Sequence, residues 1–269
     1  MTPPDAYIHG HHDSVLRSHR WRTAENSAGY LLPHLRQGQT LLDIGCGPGT
    51  VTLDLAAAVA PGHTVGIDRV GQPLIDARRA ATARNLGTVA FTVGDAYQLD
   101  FPANTFDVVH AHQVLQHLTD PVAALEEMAR VCRPGGLVAA RDADYAAMTW
   151  YPHDSRLDRW LELYHQVALD NGAEPDAGRR LLGWAHEAGY QDVTCSASVW
   201  CYATPAEREW WGSLWAERVT ESAFAQQAVN GGFTDGDELE QLAGAWRNWG
   251  SARDGWFAIL HGEILCRVD

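Results

Sequence analysis

From about residue 40 the apolar positions follow two alternating rhythms. Short apolar runs at 40–44, 64–67, 89–93, 106–112 and 136–141 read as buried strands. Between them, "GTVTLDLAAAVA", "GQPLIDARRAATARN" and "PVAALEEMARV" place apolar residues at helical spacing. Pro61-Gly62 stops the first of these helices and "RPGG" at 133–136 the third. Strands alternating with helices predict a parallel sheet with crossover helices on its faces.

Beyond residue 141 the rhythm changes. A helix is predicted over 154–170, a second in "AGRRLLGWAHEAG", and a strand in "DVTCSASVWCY". One long helical segment is predicted over 205–249, then a last strand in "WFAILHGEILCRV". Seven strands are thus expected. The expected division is an N-terminal helical lid at 1–35, an α/β core at 36–142, 176–202 and 253–269, and helical caps at 143–175 and 203–252. Ten of the eleven tryptophans lie at or beyond Trp150. Large aromatic surfaces suit the gluing of accessory helices and, for some tryptophans, the lining of an apolar pocket.

Composition narrows the chemistry. The 269 residues contain no lysine: all 20 cations are arginine. Schiff-base, pyridoxal-phosphate and P-loop lysines are therefore impossible. A net charge of −14 argues against a nucleic-acid partner, because such binding runs on neutralised phosphates. Mean hydropathy is −0.25, and the longest apolar run, 53–60, is far too short to span a bilayer. "MTPPDAYIHGHHD" has neither a basic start nor an apolar core of a secretory signal. Five cysteines without a C-x-x-C pair argue against a disulfide framework or a cysteine zinc site. A cytoplasmic protein, monomeric or homodimeric, with no membrane partner is expected.

The stretch that decides the class is "LLDIGCGPGT" at 41–50, following the first strand and opening the first helix. Its glycines let the backbone turn tightly and approach a ligand, and the helix that follows aims its N-terminus there. The second strand ends in "VGIDRV", with Asp68 nineteen residues after Gly49, where an acid can take both hydroxyls of a ribose. Asp95 follows the third strand in "VGDAYQLDF", on the same carboxyl edge.

Together with "LQHLTDP" and "RVCRPGG", these motifs resemble the class I S-adenosylmethionine-dependent methyltransferases over about 35–142. Among them the similarity is to the small-molecule group that includes ubiquinone and menaquinone biosynthesis enzymes. The resemblance implies a Rossmann-like, seven-stranded, mostly parallel α/β sheet with helical lid insertions, and S-adenosylmethionine as cofactor. It implies that Asp43, Gly45, Cys46 and Gly47 cradle the methionine end. Asp68, with Arg69 beside it, would meet the ribose, and Asp95 with Ala96 the adenine. His112, Gln113 and His117 would face the methionine moiety and the sulfonium. A dinucleotide fits poorly, since Pro48 lacks an N–H and Asp43 adds negative charge where a pyrophosphate would lie.

The histidines of "FDVVHAHQVLQHL" are read in that setting. His110 and His112 share one face of a strand covered on both sides, so His110 is expected to be a hydrogen-bonded core residue and no metal is expected. Candidate catalytic groups are His112, His117, Asp142 and Tyr145, with Asp144, Tyr151 and His153 in the same loop. Tyr7, His11, His12, Arg17 and Trp21 are expected to help close the site over a small substrate, and Tyr151 to reach it. The function expected is methyl transfer to a small organic acceptor in an enclosed, largely apolar pocket. The alternatives are a non-methylating reaction such as cyclisation on the same fold, or a cofactor- or metabolite-binding protein.

Overall fold

The computed structural model describes Ile8, Gly10 and residues 12–269; Tyr7 and His11 fall outside. Two short helices lead in, α1 (Asp13–Trp21) and α2 (Ala24–Ser27). The core follows as β1 (Leu41–Ile44), α3 (Thr50–Val59), β2 (Thr64–Asp68), α4 (Gly71–Ala83), β3 (Val89–Val93), β4 (Phe106–His112), α5 (Pro121–Val131) and β5 (Cys132–Ala143). Then come β6 (Thr149–Tyr151), α6 (Ser155–Asp170), α7 (Ala177–Glu187) and β7 (Asp192–Tyr202). The chain closes with α8 (Pro205–Glu221), α9 (Ala223–Asn230), α10 (Gly236–Ser251) and β8 (Trp256–Arg267).

The strands form one sheet in the order β3-β2-β1-β4-β5-β8-β6, with β7 also paired to β8. β1 to β5 are mutually parallel, and β8 runs antiparallel to its neighbours. This is the expected Rossmann-like α/β architecture, with eight strands instead of seven. The additional strand, β6, pairs three residues with the start of β8, while β5 pairs with the rest of it. Three residues are too few to carry a readable period. β5 also starts earlier than expected: "RPGG" lies inside it, with Gly135 at φ +77.

Alternation along the strands feeds two cores. Leu41, Val108 and Ala139 pack with α2 and α3 on one face. Leu42, Val109 and Ala140 pack with α5 and α7 on the other. A third apolar cluster belongs to the late helices, where Trp160, Trp215 and Trp246 are fully buried. Their rings meet edge-on at 4.6 and 4.8 Å and stack at 5.6 Å. The helix expected over 205–249 is three helices. Ser222 caps α9 by accepting from the Phe224 N–H, Gly232 turns at φ +71, and Asp235 caps α10 through the Glu238 N–H.

Candidate functional site

Strand order reverses between β1 and β4, since β2 and β3 extend one way and β5 and β8 the other. Open α/β sheets bind ligands at the carboxyl ends of the strands at such a point. A cavity of about 430 Å³ opens there, within the usual range for a small-molecule site.

One side of this cavity is built by β1, β2 and β3. The turn after β1 runs through Gly45, Gly47 and Gly49 at φ +66, +51 and +78. A Cβ on Gly45 would lie 2.3 Å from Val114 Cγ2, so side-chain-free backbone is required at this wall. Asp43 is buried, with its Oδ1 2.7 Å from His110 Nδ1 and its Oδ2 accepting from the Thr52 hydroxyl at 2.5 Å. Those two partners fix the carboxylate, and each oxygen retains a second lone pair. Asp68 accepts from the Gly47 and Val70 N–H groups, locking the glycine turn to the tip of β2. Asp95 accepts from the Tyr97 N–H and lines the cavity with Ala96. Cys46 lines it too, its thiol held neutral because burial, Asp43 and Asp68 all push its pKa up. Arg69 lies at the rim. Glycine cradle, buried Asp43 and the acids at successive strand tips together fit a cofactor with a ribose and an amino-acid tail.

β4 ends at the centre of the site. Gln113 sits at φ +53, a strained position for a side-chain-bearing residue. It is pinned by three bonds: its N–H donates to the Arg141 carbonyl at 2.7 Å, Arg22 donates to its Oε1 at 2.5 Å, and its Nε2 lies 2.9 Å from His261 Nε2. Strain held this firmly accompanies functional loops. His112 is 7% exposed and lines the cavity, with neither ring nitrogen hydrogen-bonded among the described residues. Burial first, then Arg22, Arg141, His261 and His110, push its pKa well below the usual range. His117, in the turn Leu115–His117, lies 3.1 Å from Gln116 Nε2, and burial and Arg22 push its pKa down to about 3. Both imidazoles are therefore neutral at working pH.

The opposite wall is aromatic. Trp21, Tyr145, Met148, Trp200, Tyr202, Trp210, Trp211 and Trp215 line it. Trp200 and Tyr202 point the same way because they alternate along β7. Tyr145 stacks on Tyr164 at 3.9 Å and, with its pKa raised by burial, remains a neutral phenol. Arg22 and Arg218 also line the cavity.

Other expected site residues lie elsewhere. Asp142 is fully buried and absent from the cavity wall; it accepts from the Gln116 N–H at 3.1 Å and so anchors the turn that carries His117. Asp144 is tied to Arg179 at 2.5 Å. Tyr151 is 57% exposed on β6, and His153 faces solvent near Asp158. His12 caps α1 and pairs with Glu221, while Arg17 pairs with Asp13 and Glu217. Both stitch the leader to α8, and of its described candidates Trp21 alone reaches the cavity wall. His110 is the buried core residue expected. Among the described residues no group of three or more His, Cys, Asp or Glu could hold a metal ion. Sequence reasoning found Trp21 but not Arg22, Arg218, His261 or the other tryptophans of the wall. They come from four distant segments, with no local spacing to connect them.

Residues 35–202 match the methyltransferase domain family. The chain is 36% identical to an uncharacterised methyltransferase of Schizosaccharomyces pombe, covering 98% of this chain and 96% of that protein. A demethylmenaquinone methyltransferase of Geobacillus kaustophilus is 37% identical over 105 residues, 39% of this chain and 45% of that one. Among solved structures the [4+2]-cyclase SpnF superposes with a TM-score of 0.52 and 23% identity, covering 97% of this chain and 87% of that one. The chain belongs to the methyltransferase domain family.

Proposed function

We propose that the protein transfers a methyl group from S-adenosylmethionine to a small organic acceptor enclosed in the aromatic half of the cavity. The observation that carries this reading is the division of one cavity, with acids and a glycine cradle on the β1–β3 side and aromatic walls on the other. In this reading Gly45, Cys46 and Gly47 offer backbone to the amino-acid tail and Asp43 stiffens that turn. Asp68 takes the ribose hydroxyls, with Arg69 at the rim, and Asp95 with Ala96 holds the base. The cofactor supplies an electrophilic methyl on a cationic sulfur. The chain aligns the acceptor behind it and excludes water, from which proximity and orientation supply most of the acceleration. Gln113 and His112 stand where the two halves meet, and His117 and Tyr145 border the acceptor. Asp142 acts by positioning the turn after β4.

Calorimetry tests the donor assignment. S-adenosylhomocysteine is expected to bind and a nicotinamide dinucleotide not to. Asp68→Ala should weaken S-adenosylhomocysteine about tenfold or more, the value of a charge-assisted hydrogen bond pair lost. Unchanged affinity in that variant would refute the ribose contact.

The solved cyclase supports a second use of the fold. Methyl-labelled donor followed by mass spectrometry separates the two, since only methyl transfer carries label into product.

A further inference from the structure

We propose that the acceptor is a flat aromatic or conjugated molecule whose methylated atom is an acidic hydroxyl oxygen, bound as its oxyanion beside Arg22 and Arg218. This deepens the methyl-transfer reading and rests on it.

The walls favour a flat molecule. Trp21, Trp200, Tyr202, Trp210 and Trp211 form a continuous series of ring contacts with centroids 4.4–5.9 Å apart. Aromatic walls alone would suit a quaternary cation equally well. The charges decide between them. Among the described residues the carboxylates that line the cavity are Asp43, Asp68 and Asp95, all on the β1–β3 side. The charged side chains on the aromatic side are Arg22 and Arg218. Arg22 lies 5.6 Å from the Trp200 ring centroid and donates to the Gln113 amide. Arg218 lies 4.6 Å from the Trp215 ring centroid and donates to the Ser14 carbonyl and the Ser18 hydroxyl. A third guanidinium, Arg141, lies against Trp200 at 4.8 Å, 3.2 Å from Glu263. Such a wall repels a cation and receives an oxyanion.

Buried polar atoms point to the same ligand. The Tyr202 hydroxyl, the Trp211 indole N–H and both nitrogens of His112 have no hydrogen-bond partner among the described residues, in side chains at most 7% exposed. Donors left open in an aromatic chamber suit ring-borne oxygens.

Of the described residues, His112 and His117 at the aromatic half are poor bases, since burial lowers both pKa values. The groups acting on His112 are Arg22, Arg141, His261 and His110, all cationic or imidazole, from the leader, β5, β8 and β4. Around Tyr202 burial raises the phenol's pKa, while Arg22, Arg141 and Arg218 act to lower it and Glu207 to raise it. Burial and the guanidiniums together keep a proton off His112, and the guanidiniums are the groups that favour an anion against that burial. An acceptor that enters ionised has already released its proton to solvent. Its oxygen lone pair forms the O–CH3 bond while the electron pair of the broken S–CH3 bond stays on sulfur, so no side chain takes a proton.

The test uses 4-nitrophenol, whose ionised form absorbs visibly, titrated against pH with protein saturated with S-adenosylhomocysteine. The apparent pKa of the bound phenol should fall by roughly one unit, a tenfold preference for the anion. Neutral 4-nitroanisole should bind more weakly, and 4-nitrophenyltrimethylammonium most weakly. Arg22→Gln and Arg218→Gln should each return the phenol towards its free pKa, and Arg218→Gln should do so while changing S-adenosylhomocysteine affinity by less than about twofold. Should buried Arg218→Gln fail to fold, half-buried Arg22→Gln still decides the matter. An unchanged or raised pKa, tighter binding of the cation, or no binding of any probe overturns the proposal. Failure of S-adenosylhomocysteine to bind in calorimetry is a separate result and overturns the donor reading instead.

Discussion

At the scale of single residues, Gly45 and Asp142 show how tightly the turns at the strand tips are constrained. A methyl on Gly45 would meet Val114 Cγ2 at 2.3 Å, on backbone at φ +66 that disfavours any side chain. Gly45→Ala should destabilise the fold by about 1–3 kcal/mol and weaken the donor more than any surface substitution, read by urea unfolding and calorimetry. Asp142 gives a pH dependence. Burial raises its pKa from 3.8 to about 7, against the lowering effect of the Gln116, Leu115 and Val114 N–H groups and Arg141. Well below pH 3.8 the carboxyl is mostly neutral in folded and unfolded chains alike, so it contributes little pH dependence there. Between about 4 and 7 the unfolded chain loses a proton that the folded chain keeps, so this group's contribution to stability falls as pH rises. Asp142→Asn removes that slope. Relative to the natural protein, the variant should gain stability from pH 4 to pH 8, by at most about 4 kcal/mol. Parallel urea profiles for the two proteins would count against it. Sequence reasoning could mark Asp142 as a titratable residue in a loop near the sheet edge. It could not see that its side chain turns inward beneath the β4 turn.

At the scale of elements, two glycines in paired helices should respond to the same change with opposite sign. α8 and α10 approach closely at Gly212, where a Cβ would lie 2.7 Å from the Trp246 carbonyl oxygen and 3.0 Å from Gly250 Cα. Gly212→Ala should therefore cost about 1–3 kcal/mol by forcing the helices apart. Gly244, also within α10, has nothing within 4 Å of its Cβ position. Gly244→Ala should gain about 0.5–1 kcal/mol, because a helix-interior glycine exacts a backbone-entropy cost that alanine avoids. Thermal unfolding of the two variants checks the signs; a gain at Gly212 would show that the close approach is absent. The core elements were legible because their two periodicities are strong and their punctuation is local. The cap was less so. The break at Ser222 falls inside a continuous helical pattern, and the turn at Gly231-Gly232 reads as tolerated glycines until the Asp235 cap is seen holding the Glu238 N–H. Packing of Trp160, Trp215 and Trp246 then dictates where the three pieces lie.

At the scale of the whole molecule, the two halves of the cavity differed in legibility for a topological reason. Parallel strands bring Asp43, Asp68 and Asp95 to one edge at intervals set by the crossover helices, so the placing of Asp68 and Asp95 after the glycine turn pointed to a shared site, to which the family resemblance added Asp43. The aromatic half joins Trp21 and Arg22 of the leader, Tyr145 after β5, Trp200 of β7 and Arg218 of α8; Trp21 and Tyr145 could be marked in the sequence, while for the rest composition could say only that aromatics are abundant late in the chain. A site assembled from both halves couples ligand binding to the docking of leader and cap on the sheet, since a ligand that requires the assembled wall stabilises only the folded chain. At about a hundredfold over its dissociation constant, S-adenosylhomocysteine should add about 2.7 kcal/mol. For a chain of 269 residues that corresponds to a rise in melting temperature of about 5 °C. The rise should shrink in Asp68→Ala, which removes the proposed donor contact, and persist in Arg218→Gln, whose changed residue lies on the proposed acceptor side. A nicotinamide dinucleotide at the same concentration should leave the melting temperature unchanged. Equal shifts with both compounds would mean that the glycine turn accepts a pyrophosphate, and the methyl-donor reading would fail with it.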